Sequence, residues 1–215
     1  MLSIPEGMRV IGLTGGIGAG KSVVAQAWRA MGIPVIDADE VSRDQARPGG
    51  AAFAAVVAEF GPGILGPDGA IDRAALAAIV FADPERRRRL EALTHGEVLA
   101  EAGRRLSAMA QAGCRLAVVE AALLIETGLD RDLDGLVAVI APEADRIRRV
   151  AARDGADEAA VRARMAAQVD DDRRRAAATA ILDNDGDLDA LVAKARSVAI
   201  DLVLAGRDDV RRPPA

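Results

Sequence analysis

Apolar residues in this chain form five short continuous runs. They occupy residues 8–13, 33–37, 115–121, 135–141 and 179–184. Strands that helices cover on both faces of a parallel sheet have this composition, because neither face of the sheet meets water. The pattern therefore predicts an α/β fold with a five-stranded parallel sheet and helices on both faces.

Apolar residues at helical spacing lie between these runs. They predict one helix over residues 21–31, a charge-dense helical stretch over 143–175 and a last helix over 188–204. Asp72 and Asp83 lie before further stretches of this kind, and we expect both to be helix N-caps.

These segments divide the chain into a core and an insertion. The core covers residues 8–48 and 114–204, and the helical insertion covers residues 49–113. An insertion of this length is too long to be a simple crossover between two strands. The proline-ended tail over residues 205–215 is expected to be disordered.

Composition and charge restrict the classes of partner. Aromatic residues make up 2% of the chain, and the net charge is -5, so neither a base-stacking surface nor a polyanion-coating protein is expected. A single cysteine excludes an internal disulfide, and no apolar run reaches the length of a membrane span. We therefore expect a cytoplasmic protein without nucleic-acid or membrane partners. We also expect a monomer, although nothing in the sequence argues against an oligomer.

The stretch IGLTGGIGAGKSV, residues 11–23, fits the pattern G-x-x-x-x-G-K-[ST] between a strand and a helix. Glycines let backbone N–H groups wrap a phosphate, and the helix N-terminus adds partial positive charge. Lys21 is a compact ammonium able to reach the β- and γ-phosphates, and Ser22 offers a hydroxyl to Mg²⁺. The motif therefore predicts binding of a nucleotide triphosphate, with a flexible glycine turn before a helix as the alternative. The residues expected to bind the nucleotide are Gly15, Gly16, Ile17, Gly18, Ala19, Gly20, Lys21, Ser22 and Val23.

The loop alone leaves the reaction open, because GTPases, ATPases, kinases and nucleotide-gated regulators share it. The N-K-x-D motif of guanine recognition is absent, and the nearest stretch, NDGD at Asn184, lacks the lysine. A kinase of a small acceptor fits the chain length and the helical insertion better. A regulator that binds ATP without phosphorylating anything is the alternative from another class.

The sequence downstream of the glycine loop is more specific to one family than the loop itself. LTGGIGAGKS followed by GIPVIDADEVSR resembles the dephospho-CoA kinase family, and LEALTH, ALLIE, RRVAARDG, Gln168 and ILDNDG extend the resemblance over about residues 9–191. The resemblance implies a P-loop kinase fold with a helical acceptor-binding insertion and a helical lid over about residues 143–175. It implies ATP-dependent phosphorylation of the ribose 3′-hydroxyl of 3′-dephospho-CoA, the last step of coenzyme A biosynthesis, with Mg²⁺. A kinase of another small acceptor, such as a nucleotide or a sugar acid, is the alternative.

Carboxylates follow two of the predicted strands. Asp37 ends the strand that we expect beside the one leading into the loop, in the crevice where open α/β sheets bind ligands. The resemblance makes Asp37 the base that accepts the proton of the acceptor hydroxyl, and a helix N-cap is the alternative. Glu120 is expected to hold Mg²⁺ through water, with a surface ion pair as the alternative. Asp39 lies on the same side of an extended backbone as Asp37, so it contacts the metal shell or caps the next helix.

Arginines supply the predicted lid. Arg149 and Arg153 are four residues apart and share a helix face, where they would stabilise the transferring phosphoryl group together with Lys21. A solvated helix face is the alternative. The resemblance also implies acceptor contacts at Arg43 and His95, and it places Asn184 near the adenine base.

The chain departs from the family pattern at three positions. Gly96 and Ala122 stand where the family usually has proline, and Arg146 stands where it commonly has glutamine. We expect these changes to alter the local backbone path and packing around His95, and to leave the reaction unchanged.

Overall fold

The computed structural model describes residues 1–205, apart from the side chains of Phe81 and Pro84. Its sheet has five parallel strands in the order β2-β3-β1-β4-β5. The strands are β1 (Arg9–Gly15), β2 (Val35–Asp37), β3 (Leu116–Glu120), β4 (Gly135–Ile140) and β5 (Ala180–Asp183). The predicted five-stranded parallel sheet is confirmed.

Helices follow the strands in the alternation that the sequence predicted. They are α1 (Lys21–Ala30), α2 (Ala38–Gln45), α3 (Phe53–Phe60), α4 (Arg73–Ala82), α5 (Pro84–Gln111), α6 (Glu143–Asp154), α7 (Glu158–Ala166), α8 (Asp171–Ala177) and α9 (Leu188–Leu204). Within the described chain, no helix is both long enough and apolar enough to cross a membrane.

The centre of the sheet is buried on both faces. Every residue of β1 and of β4 is buried, and successive side chains of a strand point to opposite faces, so both faces are covered. Trp28 of α1 lies in this core beside Leu13, and its indole N–H donates to the carbonyl of Ala195 in α9 at 2.8 Å. Helices α1 and α9 therefore share a fixed position against the sheet that carries the loop.

The described chain divides into two compact units. One comprises Ser3–Asp37 and the chain from Leu106 onward, and the other comprises Ala38–Arg105. The second unit thus begins at α2, earlier than the predicted insertion over residues 49–113, and it ends within α5. Residues 206–215, most of the tail that we expected to be disordered, lie outside the described residues.

Within the second unit, α3 and a short 3-10 turn at Pro62–Ile64 contribute a small apolar core around Val56 and Ile64. The predicted N-caps are confirmed. Asp72 accepts the N–H of Ala74 at 2.8 Å at the start of α4, and Asp83 accepts the N–H of Glu85 at 2.8 Å at the start of α5. Each cap satisfies backbone donors that a helix start leaves unpaired.

Candidate functional site

The glycine loop connects β1 to α1 at the centre of the sheet. Gly18 and Gly20 have φ angles of 76° and 107°, which residues with a side chain rarely adopt. A Cβ atom on Gly20 would also lie 2.6 Å from Nδ2 of Asn184. The ammonium of Lys21, the first residue of α1, donates to the carbonyl of Gly15 at 2.9 Å, so it lies against the loop.

The amides of the glycine loop differ in whether they have a hydrogen-bond partner among the described residues. The N–H groups of Gly18, Gly20 and Ser22 make no hydrogen bond with the described residues. The N–H of Ile17 instead donates to Oε1 of Gln168 at 2.9 Å, and the N–H of Ala19 donates to the carbonyl of Gly16 at 3.0 Å. In this conformation Ile17 and Ala19 therefore do not offer their amides to a phosphate.

Asn184, the residue after β5, holds the glycine loop through its side-chain amide. Its backbone N–H donates to the carbonyl of Ile140 at 2.7 Å, and its side-chain Nδ2 donates to the carbonyl of Ala19 at 2.8 Å. The side chain is buried, so its amide is engaged with the loop in this structure. A contact between Asn184 and adenine remains a prediction.

Helix α6 packs directly on the outer side of the loop. Ile17 contacts an apolar cluster that contains Ile147, Val150 and Val161. Nε of Arg146 donates to the carbonyl of Ile17 at 3.0 Å. From the sequence we expected this arginine to be a departure from the family pattern on a solvated helix face, but it is buried and contacts the loop. Its position on α6 gave no local signal for a partner 129 residues earlier.

The two predicted lid arginines have different surroundings. Nη1 of Arg149 lies 3.4 Å from the carbonyl of Gly18, a long contact that places its guanidinium beside the loop. Arg153 is largely exposed, and its Nε donates to Asp154 at 2.7 Å. This hydrogen bond raises the pKa of Arg153 and lowers the pKa of Asp154. Arg153 would have to leave Asp154 before it could contact a phosphate.

The two strand-end carboxylates are neighbours. Asp37 and Glu120 are partners in the register of β2 and β3, so both lie at the carboxyl edge of the sheet. Glu120 is 7% exposed, which is incompatible with the alternative of a surface ion pair. The expectation that β2 lies beside β1 was wrong, because β3 lies between them. Adjacent strands are about 4.8 Å apart, so Asp37 is about 10 Å from the strand that leads into the loop.

The prediction that Asp39 lies on the same side as Asp37 assumed an extended backbone that the structure does not have. Helix α2 begins at Ala38, so the extended backbone on which the prediction relied ends at Asp37. Asp39 lies in the first turn of α2, where a carboxylate is favourable because of the helix dipole.

The predicted acceptor residues lie in the second unit. Arg43 of α2 lines an apolar groove of about 400 Å³ together with Val80 of α4 and Leu90 of α5. His95 is exposed on α5 and is not among the residues that line this groove in the described chain. At Gly96, where the family usually has proline, α5 continues unbroken. A proline there would remove a helix hydrogen bond and bend the helix, so the substitution explains the continuous path.

Comparison with known proteins identifies the family. A family model of dephospho-CoA kinase matches residues 9–190. The dephospho-CoA kinase of Anaeromyxobacter dehalogenans is 46% identical over 195 residues, which are 91% of this chain and 92% of that protein. The dephospho-CoA kinase of Corynebacterium glutamicum is 42% identical over 193 residues, which are 90% of this chain and 96% of that protein. The crystal structure of TT1252 from Thermus thermophilus is 37% identical and covers 93% of this chain and 99% of its own, with a TM-score of 0.74. The chain belongs to the dephospho-CoA kinase family.

Proposed function

We propose that this chain transfers the γ-phosphoryl group of ATP to the ribose 3′-hydroxyl of 3′-dephospho-CoA, giving CoA and ADP. The observation that carries the proposal is the edge of the sheet where the glycine loop leaves β1 and the carboxylates of Asp37 and Glu120 lie in register. A pure nucleotide-binding regulator has no use for a carboxylate in this position. The reaction needs no covalent enzyme intermediate, because an alcohol oxygen can attack the phosphoryl group in line.

The loop supplies the binding of the phosphates. The N–H groups of Gly18, Gly20 and Ser22 are available to phosphate oxygens, and they lie at the N-terminus of α1. Lys21 would exchange the carbonyl of Gly15 for the β- and γ-phosphates. A phosphate is the stronger acceptor of the two because it is charged.

Asp37 would act as the base. Because β3 lies between β1 and β2, the terminal phosphate and the acceptor hydroxyl would lie between the loop and this carboxylate, at the carboxyl end of β3. Asp37 would accept the hydroxyl proton as the oxygen attacks the γ-phosphorus. Lys21 and Arg149 would stabilise the negative charge that spreads over the phosphoryl oxygens, and Arg153 would join them after leaving Asp154.

The residues present suit Mg²⁺. The hydroxyl of Ser22 is exposed and makes no hydrogen bond with the described residues, and Glu120 adds a hard oxygen ligand nearby in the sheet. In the described part of the chain no group of three or more metal-ligating side chains occurs. That fits Mg²⁺, which is usually bound by one or two protein oxygens, with water and nucleotide phosphates. Bound there, Mg²⁺ would neutralise charge on the β- and γ-phosphates.

The acceptor would be recognised by the helical unit. Arg43 lies in the wall of a largely apolar groove that Arg47 and Arg73 also line, and this combination suits a ligand with both anionic and apolar parts. His95 remains a predicted acceptor contact on the exposed side of α5. We further propose a cytoplasmic location, which the composition and the single cysteine support.

A coupled ADP-release assay tests the function. We expect kcat/KM with dephospho-CoA to exceed kcat/KM with AMP, shikimate or gluconate by at least about 10²-fold, because a site that hydrogen-bonds its substrate rejects analogues lacking those groups. A higher kcat/KM with another acceptor would change the proposed substrate, and the chain would still be a kinase. ATP binding without ADP release for any acceptor would instead support the regulator.

Single substitutions distinguish the contributions of the two lid arginines, Arg149 and Arg153, to kcat. We expect Arg149→Ala to lower kcat by about 10- to 100-fold, because its guanidinium already lies beside the loop and would stabilise developing charge. Arg153→Ala should have a smaller effect, because its ion pair with Asp154 competes with any phosphate contact. Steady-state kinetics at saturating substrates measure both. Wild-type kcat in Arg153→Ala would remove Arg153 from the chemistry, and the same result in Arg149→Ala would remove the lid arginines altogether.

A further inference from the structure

The backbone of Ile17 is held by side chains from the far end of the chain. Its N–H donates to Gln168 at 2.9 Å, and its carbonyl accepts Nε of Arg146 at 3.0 Å. Both polar groups of this loop residue are therefore engaged on the outer side of the loop.

The contact to the carbonyl also determines where an amide points. A trans peptide is planar, so its C=O and N–H point in opposite directions. The carbonyl of Ile17 and the N–H of Gly18 belong to the same peptide. When Arg146 holds the carbonyl outward, the N–H of Gly18 must point inward, and it is one of the amides that make no hydrogen bond with the described residues.

Arg146 is itself held by a chain of charged side chains in which the two arginines are buried. Its side chain is 6% exposed, and its Nη1 lies 3.2 Å from Oδ2 of Asp171 in α8. Burial lowers the pKa of Arg146, and the charge of Asp171 opposes that change. Asp171 also accepts Nη1 of Arg174 at 2.9 Å. Asp171 thus lies between two buried cations that would otherwise repel each other.

Arg174 extends the chain of charges to a third element. Its side chain is 1% exposed, and Nη2 lies 3.9 Å from Oε1 of Glu126, which also accepts the N–H of Val169 at 2.9 Å. Nε and Nη2 of Arg174 have no hydrogen-bond partner among residues 1–205. A buried guanidinium with unsatisfied donors is costly, so Arg174 depends on its contacts with the carboxylates of Asp171 and Glu126.

We propose that Arg146, Asp171 and Arg174 are positioning residues of the kinase reaction, which hold the Ile17 carbonyl outward and so aim the Gly18 N–H at a nucleotide phosphate. The phosphate does not contact these three side chains. They act through the planar peptide between Ile17 and Gly18. The inference rests on the proposed function only in that the glycine loop binds ATP.

The test is the affinity of the purified full chain for two probes, Mg²⁺-ATP and inorganic tripolyphosphate, measured by calorimetry. Tripolyphosphate has no base or ribose, so it reports on the loop alone. We expect Asp171→Asn to weaken the binding of both probes by about tenfold, the range in which coupled residues without ligand contact act. The KM for dephospho-CoA should stay unchanged.

Asp172→Asn is the matched control. Asp172 is exposed in the same first turn of α8, so the variant makes the same charge change beside the same helix N-terminus without touching Arg146. We expect it to bind both probes as the wild type does. Equal losses of probe affinity in the two variants would mean that the effect comes from the overall charge near the N-terminus of α8. That result would overturn the proposal.

Two further variants separate positioning from a purely structural role. Arg174→Lys keeps a cation beside Asp171, and we expect it to restore most of the affinity that Arg174→Met loses. Circular dichroism at the binding temperature shows that each variant is folded. Folded Asp171→Asn and Arg174→Met with wild-type affinity for tripolyphosphate would overturn the proposal. Failure of the wild type to phosphorylate dephospho-CoA would overturn only the proposed function, because these affinities do not depend on the acceptor.

Discussion

Asp37→Asn should lower kcat with dephospho-CoA by about 10³-fold, within the range that general-base catalysis contributes. The amide has nearly the same size as the carboxylate but cannot accept the hydroxyl proton. The Kd for ATP should change by less than about twofold, because Asp37 lies two strands away from the strand that leads into the loop. Single-turnover kinetics with ATP and dephospho-CoA measure the chemical step directly.

Asp39→Asn provides the comparison for this variant. Asp39 is exposed in the first turn of α2, two residues further on, so the charge change is the same and the position is different. We expect a loss of at most a few-fold if Asp39 stabilises only the helix start, at a cost of about 1 kcal/mol or less. Wild-type turnover in Asp37→Asn would exclude Asp37 as the base and leave its carboxylate with a structural role.

The elements that the sequence predicted well are those with a local signal. The five apolar runs became the five strands, and the helix over residues 188–204 became α9 without a shift of either end. Asp72 and Asp83 cap helices as predicted, because an N-cap bonds backbone groups two or three residues away. For these features the physical cause lies within a few residues of the pattern that reveals it.

The features that the sequence missed depend on distant partners. Nothing in the strand ending at Asp37 indicates that β3, about 80 residues later, would separate it from β1. Gln168 entered the sequence analysis only as part of the family resemblance, although it accepts the N–H of Ile17. Arg146 was similarly missed. Both contacts join residues more than 120 positions apart, so no local pattern reports them.

The packing of α6 against the glycine loop limits which part of the predicted lid, residues 143–175, could move. Arg146, Ile147 and Val150 are buried in the first part of the helix, against the glycine loop. Moving this part would break the contacts to Ile17. Val161 of α7 belongs to the same apolar cluster, and Gln168 accepts the N–H of Ile17, so later parts of the predicted lid are also held against the loop. If the lid closes as predicted without breaking these contacts, only the segment between Val150 and Val161, which carries Arg153, can move.

Lys21→Ala should lower kcat/KM for ATP by about 10³-fold, because one preorganised cation at the site of developing charge contributes several kcal/mol. Both ATP affinity and kcat should fall, since Lys21 would bind the phosphates in the ground state and more strongly as charge spreads. Lys21→Arg should restore little of the loss. The planar guanidinium is too broad for a slot in which the ammonium lies 2.9 Å from the carbonyl of Gly15.

Lys194→Ala is the control for Lys21, because these are the only two lysines in the chain. The ammonium of Lys194 contacts Asp185 at 2.8 Å and donates to the carbonyl of Asp183 at 2.6 Å, so its removal perturbs an exposed ion pair of small value and one hydrogen bond. We expect turnover in this variant within about threefold of the wild type. Unchanged ATP affinity and kcat in Lys21→Ala would mean that the glycine loop does not hold the triphosphate. The base, the lid and the positioning network would then all lose the ligand around which they are arranged.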